Sequence, residues 1–237
     1  MTAAITVLRE EVEDFAGMGI LAFTTTREAG TFGFAGEDAV GEVMGRLSTL
    51  QDDLSSLSRR TITGRQVHGS DVITHRGGWE GLLRTPPADG HLAAERGITL
   101  TVSVADCVPV FIGHPSGIVA LLHSGWRGTV GRIIESGINA FARLKLPPDE
   151  LVVHLGPSIC GRCYEVSEDV RSQLTGQPVN RGGNVDLRAI IAEHAAEMGV
   201  MKVSVSADCT RCDNSRYFSH RAGDPGRQIA VIVAGIT

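Results

Sequence analysis

Several features that mark common functional classes are scarce in this sequence. Only 5% of its 237 residues are aromatic and the formal net charge is -5, so the chain has neither a stacking platform nor a basic stripe. The longest apolar run, IAVIVAGI near the end of the chain, is too short to cross a bilayer. These absences argue against nucleic acid as the main partner and against a membrane span.

The chain also lacks the marks of a secreted protein. MTAAITVLREEVEDF, at the start, has no positively charged segment followed by an apolar one. Five cysteines, an odd number, favour free thiols or metal ligands over a disulfide framework. We therefore expect a cytoplasmic protein. Because 42% of the residues are hydrophobic and no repeat or Pro-rich linker interrupts them, residues 1–237 are predicted to form one domain.

The spacing of apolar residues predicts three main helices. The first carries an apolar stripe at steps of three and four, formed by Val40, Val43, Leu47, Leu50, Leu54 and Leu57. The second covers TVGRIIESGINAFARLKL and stops at Pro147. The third is VDLRAIIAEHAAEMG, with Asp186 as N-cap and Gly199 as C-terminal stop.

The β-rich runs outnumber these helices. They are MGILAFTTT, TITGRQV, DVITH, GITLTVSV, VPVFIG, GIVALLHSG, LVVHLG, MKVSVSA and RQIAVIVAGI. Such a mixture, without a regular alternation of strand and helix, predicts an α/β fold of mixed β-sheets with helices on their outer faces.

Three residues in Gly-rich turn sequence indicate a metal centre: His68 in RQVHG, Cys107 in ADCVP and His123 in HSGWRG. Each ends a β-rich run or follows one, where loops from different strands can converge. One thiolate and two imidazoles leave the fourth position of a tetrahedral zinc ion open, as in catalytic sites. Zinc is the predicted metal and copper the alternative. Taken alone, each residue also fits a structural role: each histidine as a hydrogen-bonded side chain and the cysteine as a small buried one.

A second hypothesis needs no metal. Cys107 can act as a nucleophile with His123 or His68 as its base, as in a cysteine hydrolase. A non-enzymatic binding module is a third hypothesis, and it predicts ligand affinity without turnover. Metal content and turnover separate the three.

The segment HSGWRGT feeds directly into the second predicted helix. Its glycines allow a close backbone turn, and a helix start beside Arg127 favours an anion. We therefore predict that Ser124, Gly125 and Arg127 bind phosphate. The alternative is that the glycines only form a tight turn and that Arg127 is solvated.

Two CxxC pairs compete as metal ligands: Cys160 with Cys163, and Cys209 with Cys212. The spacing within each pair suits a structural zinc site, but the separation between the pairs is much longer than zinc ribbons prefer. Neither pair lies in a thioredoxin-like pattern. We therefore expect the metal at the Cys/His set rather than at these pairs.

The chain resembles the laccase-domain family of YfiH and YlmD type through a series of motifs in the same order. They are RQVHG, PADG before a strand, ADCVPV, the hairpin ending in HSGWRGT, GPSICGRCYEV and the C-terminal DCTRC, YFSHR and GRQ. The resemblance runs from about Gly19 to the C-terminus. It implies a compact fold of α/β/β/α layers, with the metal held by His68, Cys107 and His123. It also implies a purine nucleoside phosphorylase that converts adenosine, inosine and methylthioadenosine with phosphate into free base and ribose 1-phosphate. Adenosine deamination at the same zinc site is implied as well.

The sequence departs from the family pattern at four positions. The family segment TTR-x-GG is TTTREAGTFG here, around Arg27, and the stretch after it is shortened. Val104 replaces a threonine, Cys160 occupies a usual glycine position, and Ala222 replaces the second arginine of SHRR. These departures put a substrate role for Arg27 in doubt and weaken the case for a four-cysteine zinc site. The ligand set itself is intact.

The family's older description as a multicopper polyphenol oxidase fits the residues less well. A trinuclear copper cluster needs many imidazoles, commonly in His-x-His pairs, whereas this chain has 8 histidines and no such pair. A copper-dependent polyphenol oxidase stays an alternative. For deamination an open zinc position suits attack by water, with Asp106 as a candidate acid or base. Asp106 can equally well cap a turn.

Overall fold

The computed structural model describes residues 6–34 and 38–235. The strands are β1 Arg9–Glu11, β2 Leu21–Thr25, β3 Arg60–Arg65, β4 Val72–His75, β5 Gly81–Pro87, β6 Gly90–Ala93, β7 Ile98–Val104, β8 Val108–Gly113, β9 Val119–Ser124, β10 Val152–Leu155, β11 Glu165–Val166, β12 Gly183–Asn184, β13 Lys202–Val205 and β14 Gln228–Val233. The α-helices are α1 Val40–Leu54, α2 Trp126–Val130, α3 Ile133–Arg143, α4 Glu168–Thr175 and α5 Leu187–Glu197.

Two six-stranded sheets contain nearly all of these strands. The order is β1-β2-β14-β7-β3-β5 in the first sheet and β13-β10-β8-β9-β6-β4 in the second. Both sheets mix parallel with antiparallel neighbours, because β3 is parallel to β7 and β4 to β6 while β8 and β9 form an antiparallel hairpin. The predicted α/β class with mixed sheets is confirmed.

The sheets pack face to face, and helices cover their outer faces. Alternate residues of β8 show why its whole length is apolar: Phe111 faces the first sheet, whereas Val110 and Ile112 face the helices. The stripe of α1 packs on the first sheet, and α3 and α5 pack on the second. The layer order is therefore α/β/β/α, as the family resemblance implies.

The structure corrects two helix predictions. The helix predicted over 129–146 is divided into α2 and α3, because Arg132 adopts a left-handed backbone conformation with φ 53° directly after Gly131. The stripe that was predicted to run to Leu57 leaves the helix at Leu54, although Leu57 still packs on the same core. Asp186 does cap α5, accepting hydrogen bonds from two backbone N–H groups.

Other differences are small. Strand β5 is absent from the prediction because glycine and two prolines obscure its pattern, and at the sheet edge prolines are tolerated. Ile236, the penultimate residue of the chain and the last isoleucine of the predicted final strand, lies outside the described residues. Among the described residues, no helix combines the length and the apolar character that a membrane crossing requires.

Candidate metal centre and active site

The predicted ligands His68, Cys107 and His123, here called the ligand trio, meet where the two sheets adjoin. His68 follows β3 of the first sheet, Cys107 lies on the connection from β7 to β8 that crosses between the sheets, and His123 is on β9 of the second. Their ligand atoms all lie within 4.8 Å of one another. The two imidazole rings stand edge to face, 4.9 Å apart at 79°. The trio can therefore hold one metal ion.

Asp89 holds the trio in place. Its carboxylate is fully buried and accepts backbone hydrogen bonds from Val67, His68 and Gly69 at 2.8–2.9 Å. These bonds fix a loop in which His68 has φ 59°, a left-handed conformation that costs about 1 kcal/mol or more in a non-glycine residue. Nδ1 of His123 also donates to Asp89, at 2.8 Å, which leaves Nε2 available to a metal ion.

No sequence pattern indicated a role for Asp89. The aspartate was visible only as part of PADG, a motif quoted for the family resemblance. Its partner His123 is 34 positions further along the chain, so local spacing gave no indication of the contact. Buried carboxylates that orient a ligating imidazole are a regular component of metal centres.

The protonation states of the trio are coupled. Burial raises the pKa of Cys107, but the charge of His123 and hydrogen bonds from both histidines outweigh burial and lower this pKa to about 6. Burial lowers the pKa of His123, but the Cys107 thiolate and the Asp89 carboxylate raise it to about 9. Without metal, Cys107 and His123 therefore form a thiolate–imidazolium pair at neutral pH.

Gly125 leaves the space that the trio needs. A Cβ atom at this position would lie 2.8 Å from Sγ of Cys107 and 3.3 Å from Cδ2 of His68. The backbone itself is ordinary, with φ -84°, so any residue can adopt this conformation. The requirement for glycine is one of space beside the thiolate.

Gly125→Ala is expected to lower zinc affinity by about tenfold or more, because the methyl group displaces the thiolate or the His68 ring from the metal position. Competition with a chromogenic chelator measures this affinity. The matched control is Gly41→Ala, on α1, where a Cβ meets nothing within 4 Å. Equal zinc affinity in the two variants would contradict this account of Gly125.

Two cavities adjoin at the trio. The first, the Arg127 cavity, is about 280 Å³ and is lined by His68, Ala105, Asp106, Cys107, Gly125, Trp126, Arg127, Ile159, Tyr164, Leu187, His220 and Arg221. The second, the Arg227 cavity, is about 350 Å³ and is lined by Gly33, Phe34, Gln66, His68, Ser103, Ala105, Cys107, His123, His220, Pro225 and Arg227. His220 lines both, and sequence analysis gave it no role.

Two guanidinium groups face the Arg127 cavity. Arg127 stacks over Trp126 at 4.3 Å and makes no hydrogen bond to the described residues. Arg221 stacks over Tyr164 at 5.1 Å and donates one hydrogen bond, to the carbonyl oxygen of Glu165. An anion entering this cavity therefore meets two positive charges with free donors.

The structure separates the predicted phosphate ligands. Arg127 and Gly125 line the Arg127 cavity, but Ser124 does not: it is fully buried, with its hydroxyl 3.0 Å from that of Thr129. Arg27 lines neither cavity, because it pairs with Asp224 at 2.6 Å and holds the C-terminal loop.

Asp106 joins two loops. Its two carboxylate oxygens accept hydrogen bonds from the Thr210 hydroxyl at 2.6 Å and from the Arg221 backbone N–H at 2.7 Å. These contacts tie the loop that carries Cys107 to the C-terminal loop. Both oxygens are engaged by partners 104 and 115 positions away in sequence, which favours a role in joining the two loops over acid–base chemistry and over the capping of a local turn.

The other four cysteines form a second group. The Sγ atoms of Cys160, Cys163, Cys209 and Cys212 all lie within 4.8 Å of one another. This group is here called the four-cysteine cluster. The long separation of the two CxxC pairs in sequence, which weighed against a shared metal site, does not separate their sulfur atoms in space. The reason is that each pair follows one of two parallel neighbouring strands, β10 and β13.

A Cys/His₂ ligand set with a carboxylate behind one imidazole, placed beside a cavity that carries two arginines, defines a candidate metal-site protein of the mixed α/β class. Comparison with known proteins gives the family. The chain belongs to the family described as multi-copper polyphenol oxidoreductase laccase, which it matches over residues 24–235.

Relatives in this family carry enzyme names. The chain is 35% identical over 170 residues to the purine nucleoside phosphorylase SCO2081 of Streptomyces coelicolor, covering 68% of this chain and 69% of that protein. It is 28% identical over 238 residues to the adenosine deaminase RL5 of an unknown prokaryotic organism, covering 86% and 88%. One relative is thus named a phosphorylase and another a deaminase.

Solved structures share the fold. YlmD from Geobacillus stearothermophilus superposes with a TM-score of 0.81 at 27% identity, covering 91% of this chain and 92% of that one. The Bacillus licheniformis protein YfiH superposes with a TM-score of 0.86 at 22% identity, covering 96% and 97%. The resemblance to proteins of YfiH and YlmD type is confirmed.

Proposed function

We propose that this protein is a zinc-dependent purine nucleoside phosphorylase that acts on adenosine, inosine and methylthioadenosine. The meeting of two cavities at the ligand trio supports this activity most directly. Both cavities are lined by His68, Ala105, Cys107 and His220, so two substrates can approach one point from different sides. Phosphorolysis requires this arrangement, because phosphate and nucleoside must be held together while the glycosidic bond breaks.

The residues of the trio fit zinc. One thiolate and two imidazoles with an open position are a catalytic zinc set, and the Asp89 carboxylate fixes the tautomer of His123. When bound there, zinc supplies a Lewis acid beside the reacting atoms. Copper is the alternative metal, since thiolate and imidazole also bind it.

The arrangement of ligand residues favours phosphorolysis over phenol oxidation. The described part of the chain brings together two groups of candidate metal ligands, the trio and the four-cysteine cluster. Neither offers the many imidazoles of a trinuclear copper cluster. A copper-dependent polyphenol oxidase is therefore the second candidate, supported by the family's description rather than by the site.

In the proposed reaction the bond between C1′ of the ribose and N9 of the purine breaks. An oxygen atom of phosphate bonds to C1′, and the proton released from phosphate ends on the purine. We place phosphate in the Arg127 cavity, where Arg127 and Arg221 neutralise its charge. His220, which reaches both cavities, is positioned to transfer the proton.

We place the nucleoside in the Arg227 cavity. Phe34 offers its partly exposed aromatic ring there for stacking on the purine. Gln66 is held rigidly, because its Oε1 accepts from the backbone N–H and hydroxyl of Ser103 and its Nε2 donates to the Ser103 carbonyl. A fixed amide beside an aromatic ring is suited to a flat, polar heterocycle.

Adenosine deamination at the same site is the further activity that we propose. In that reaction the oxygen of water replaces the amino group at C6, and ammonia leaves. The relative named adenosine deaminase supports it. His220 is the better candidate for moving protons there, because both oxygens of Asp106 are engaged.

The experiment uses untagged protein with inosine or adenosine, with and without phosphate, before and after zinc removal. With inosine and phosphate, we expect zinc-dependent formation of hypoxanthine and ribose 1-phosphate. With adenosine and no phosphate, we expect zinc-dependent formation of inosine. Free base that forms equally well without phosphate would contradict phosphorolysis. Full activity in metal-free protein, lost on alkylation of Cys107, would establish the cysteine hydrolase instead; phenol oxidation alone would establish the oxidase.

Arg127→Gln is expected to raise the KM for phosphate by about 10- to 100-fold, because one charge-assisted hydrogen bond to the anion is lost. The KM for inosine should change by less than about threefold. Steady-state kinetics with each substrate varied in turn separates the two values. Arg143→Gln, at an exposed position on α3, is the matched control. Equal effects on both KM values would place phosphate elsewhere.

A further inference from the structure

Two loops on the second sheet carry the four cysteines outside the trio. Strands β10 and β13 are parallel neighbours, paired from Val152 with Lys202 to Leu155 with Val205, so their chains leave the sheet at the same end. A bridge between Ser158 and Cys209 continues this pairing beyond the strands. Cys160 and Cys209, 49 positions apart in sequence, therefore emerge side by side.

The sulfur atoms are close enough to share one ion. All four lie within 4.8 Å of one another, and Cys163 and Cys212 are 3.5 Å apart. The corners of a tetrahedral zinc–sulfur site lie about 3.8 Å apart. All five cysteines of the chain are free thiols, so the four are available as ligands.

Backbone N–H groups point at the sulfur atom of Cys209. Sγ of Cys209 accepts N–H bonds from Cys160 at 3.2 Å and from Cys212 at 3.4 Å. The CxxC turn at Cys160 is closed by N–H groups of Cys163 and Tyr164, which donate to its carbonyl at 2.9 and 3.0 Å. Donors directed at sulfur stabilise thiolates, and thiolates are the form that binds metal.

We propose that Cys160, Cys163, Cys209 and Cys212 bind a structural zinc ion, separate from the metal of the ligand trio. Four thiolates close the coordination sphere and leave no position for a substrate. The ion joins the loop after β10 to the loop after β13. Both loops bear on the Arg127 cavity. Tyr164, which follows Cys163, lines it, and Thr210, next to Cys209, donates a hydrogen bond to the lining residue Asp106. The zinc ion thus fixes one wall of the candidate active site.

Metal analysis of untagged protein, purified without chelator, tests this site independently of any substrate. We expect about two zinc ions per chain in the wild type and about one in Cys107→Ser, Cys212→Ser or Cys163→Ser. A protein with both Cys107→Ser and Cys212→Ser should hold none. Undiminished zinc in Cys212→Ser would overturn the proposal, as would iron in place of zinc.

A matched pair of variants separates metal loss from misfolding. Cys212 is exposed, so the larger ligand of Cys212→His has room and should retain the zinc that Cys212→Ser loses. Cobalt substitution in the Cys107→Ser background should give the intense thiolate charge-transfer absorption of a four-sulfur site, abolished by Cys212→Ser. The proposal would be overturned by metal-free protein whose mass is lower than that of the reduced chain by two hydrogen atoms, because this difference indicates a disulfide between Cys163 and Cys212.

Discussion

Cys107→Ser is expected to lower kcat/KM for inosine phosphorolysis by about a thousandfold or more, because a serine hydroxyl does not form the thiolate that completes the trio. The same substitution should remove the zinc of the trio. Kinetics and metal analysis on the same preparation measure both effects, and thermal unfolding confirms that the protein is folded. Serine is smaller than cysteine and nearly isosteric, so the neighbouring His68 and Gly125 are not displaced.

The two readouts of this variant separate the hypotheses about Cys107. Loss of zinc together with activity supports a ligand role. If the wild type contains no zinc and Cys107→Ser is still inactive, the result supports Cys107 as a nucleophile, paired with the His123 imidazolium. Unchanged activity would refute both roles and the site assignment with them.

Asp89→Asn is expected to weaken zinc binding at the trio by about 10- to 100-fold and to lower the free energy of unfolding by about 2 kcal/mol. The carboxylate receives three backbone N–H groups and Nδ1 of His123. An amide replaces one acceptor oxygen by an N–H₂ donor, which then faces other donors in a fully buried position. Chelator competition measures the affinity, and urea unfolding of the metal-free protein measures the stability.

Asp186→Asn is the matched control for this substitution. Asp186 accepts backbone N–H bonds at the start of α5, a position where asparagine is an equally good cap. The control should therefore change stability by less than about 0.5 kcal/mol. Equal behaviour of the two variants would show that Asp89 is not the organising residue of the site.

The residues of the trio could be predicted from sequence because each lies in a distinctive Gly-rich turn beside a β-rich run. Asp89 could not, because its function depends on a contact with His123 that the pairing of β6 with β9 creates. The proximity of the four cysteines could not be predicted for a related reason. Separation along the chain says little about distance when two segments follow parallel neighbouring strands.

The main error in secondary structure concerns the second predicted helix, which the structure divides into α2 and α3. The apolar spacing of the second predicted helix continues through Arg132, so its pattern contained no sign of a break. Arg132 adopts its left-handed conformation directly after Gly131, at the end of α2, and the periodicity of apolar residues does not register such a change in the backbone. By contrast, the cap of α5 is encoded within a few residues and was predicted correctly.

The thiolate–imidazolium pair makes metal loading a proton exchange. A zinc ion at the trio would need a neutral His123, whose pKa is raised to about 9, so binding near neutral pH should release one proton. Zinc affinity should then rise about tenfold per pH unit until that pKa is passed. Below the pKa of Cys107, about 6, the thiol proton also competes with zinc, so zinc affinity should depend more steeply on pH. Acidification should thus favour release of a metal ion held by the trio, which pH-dependent chelator competition measures.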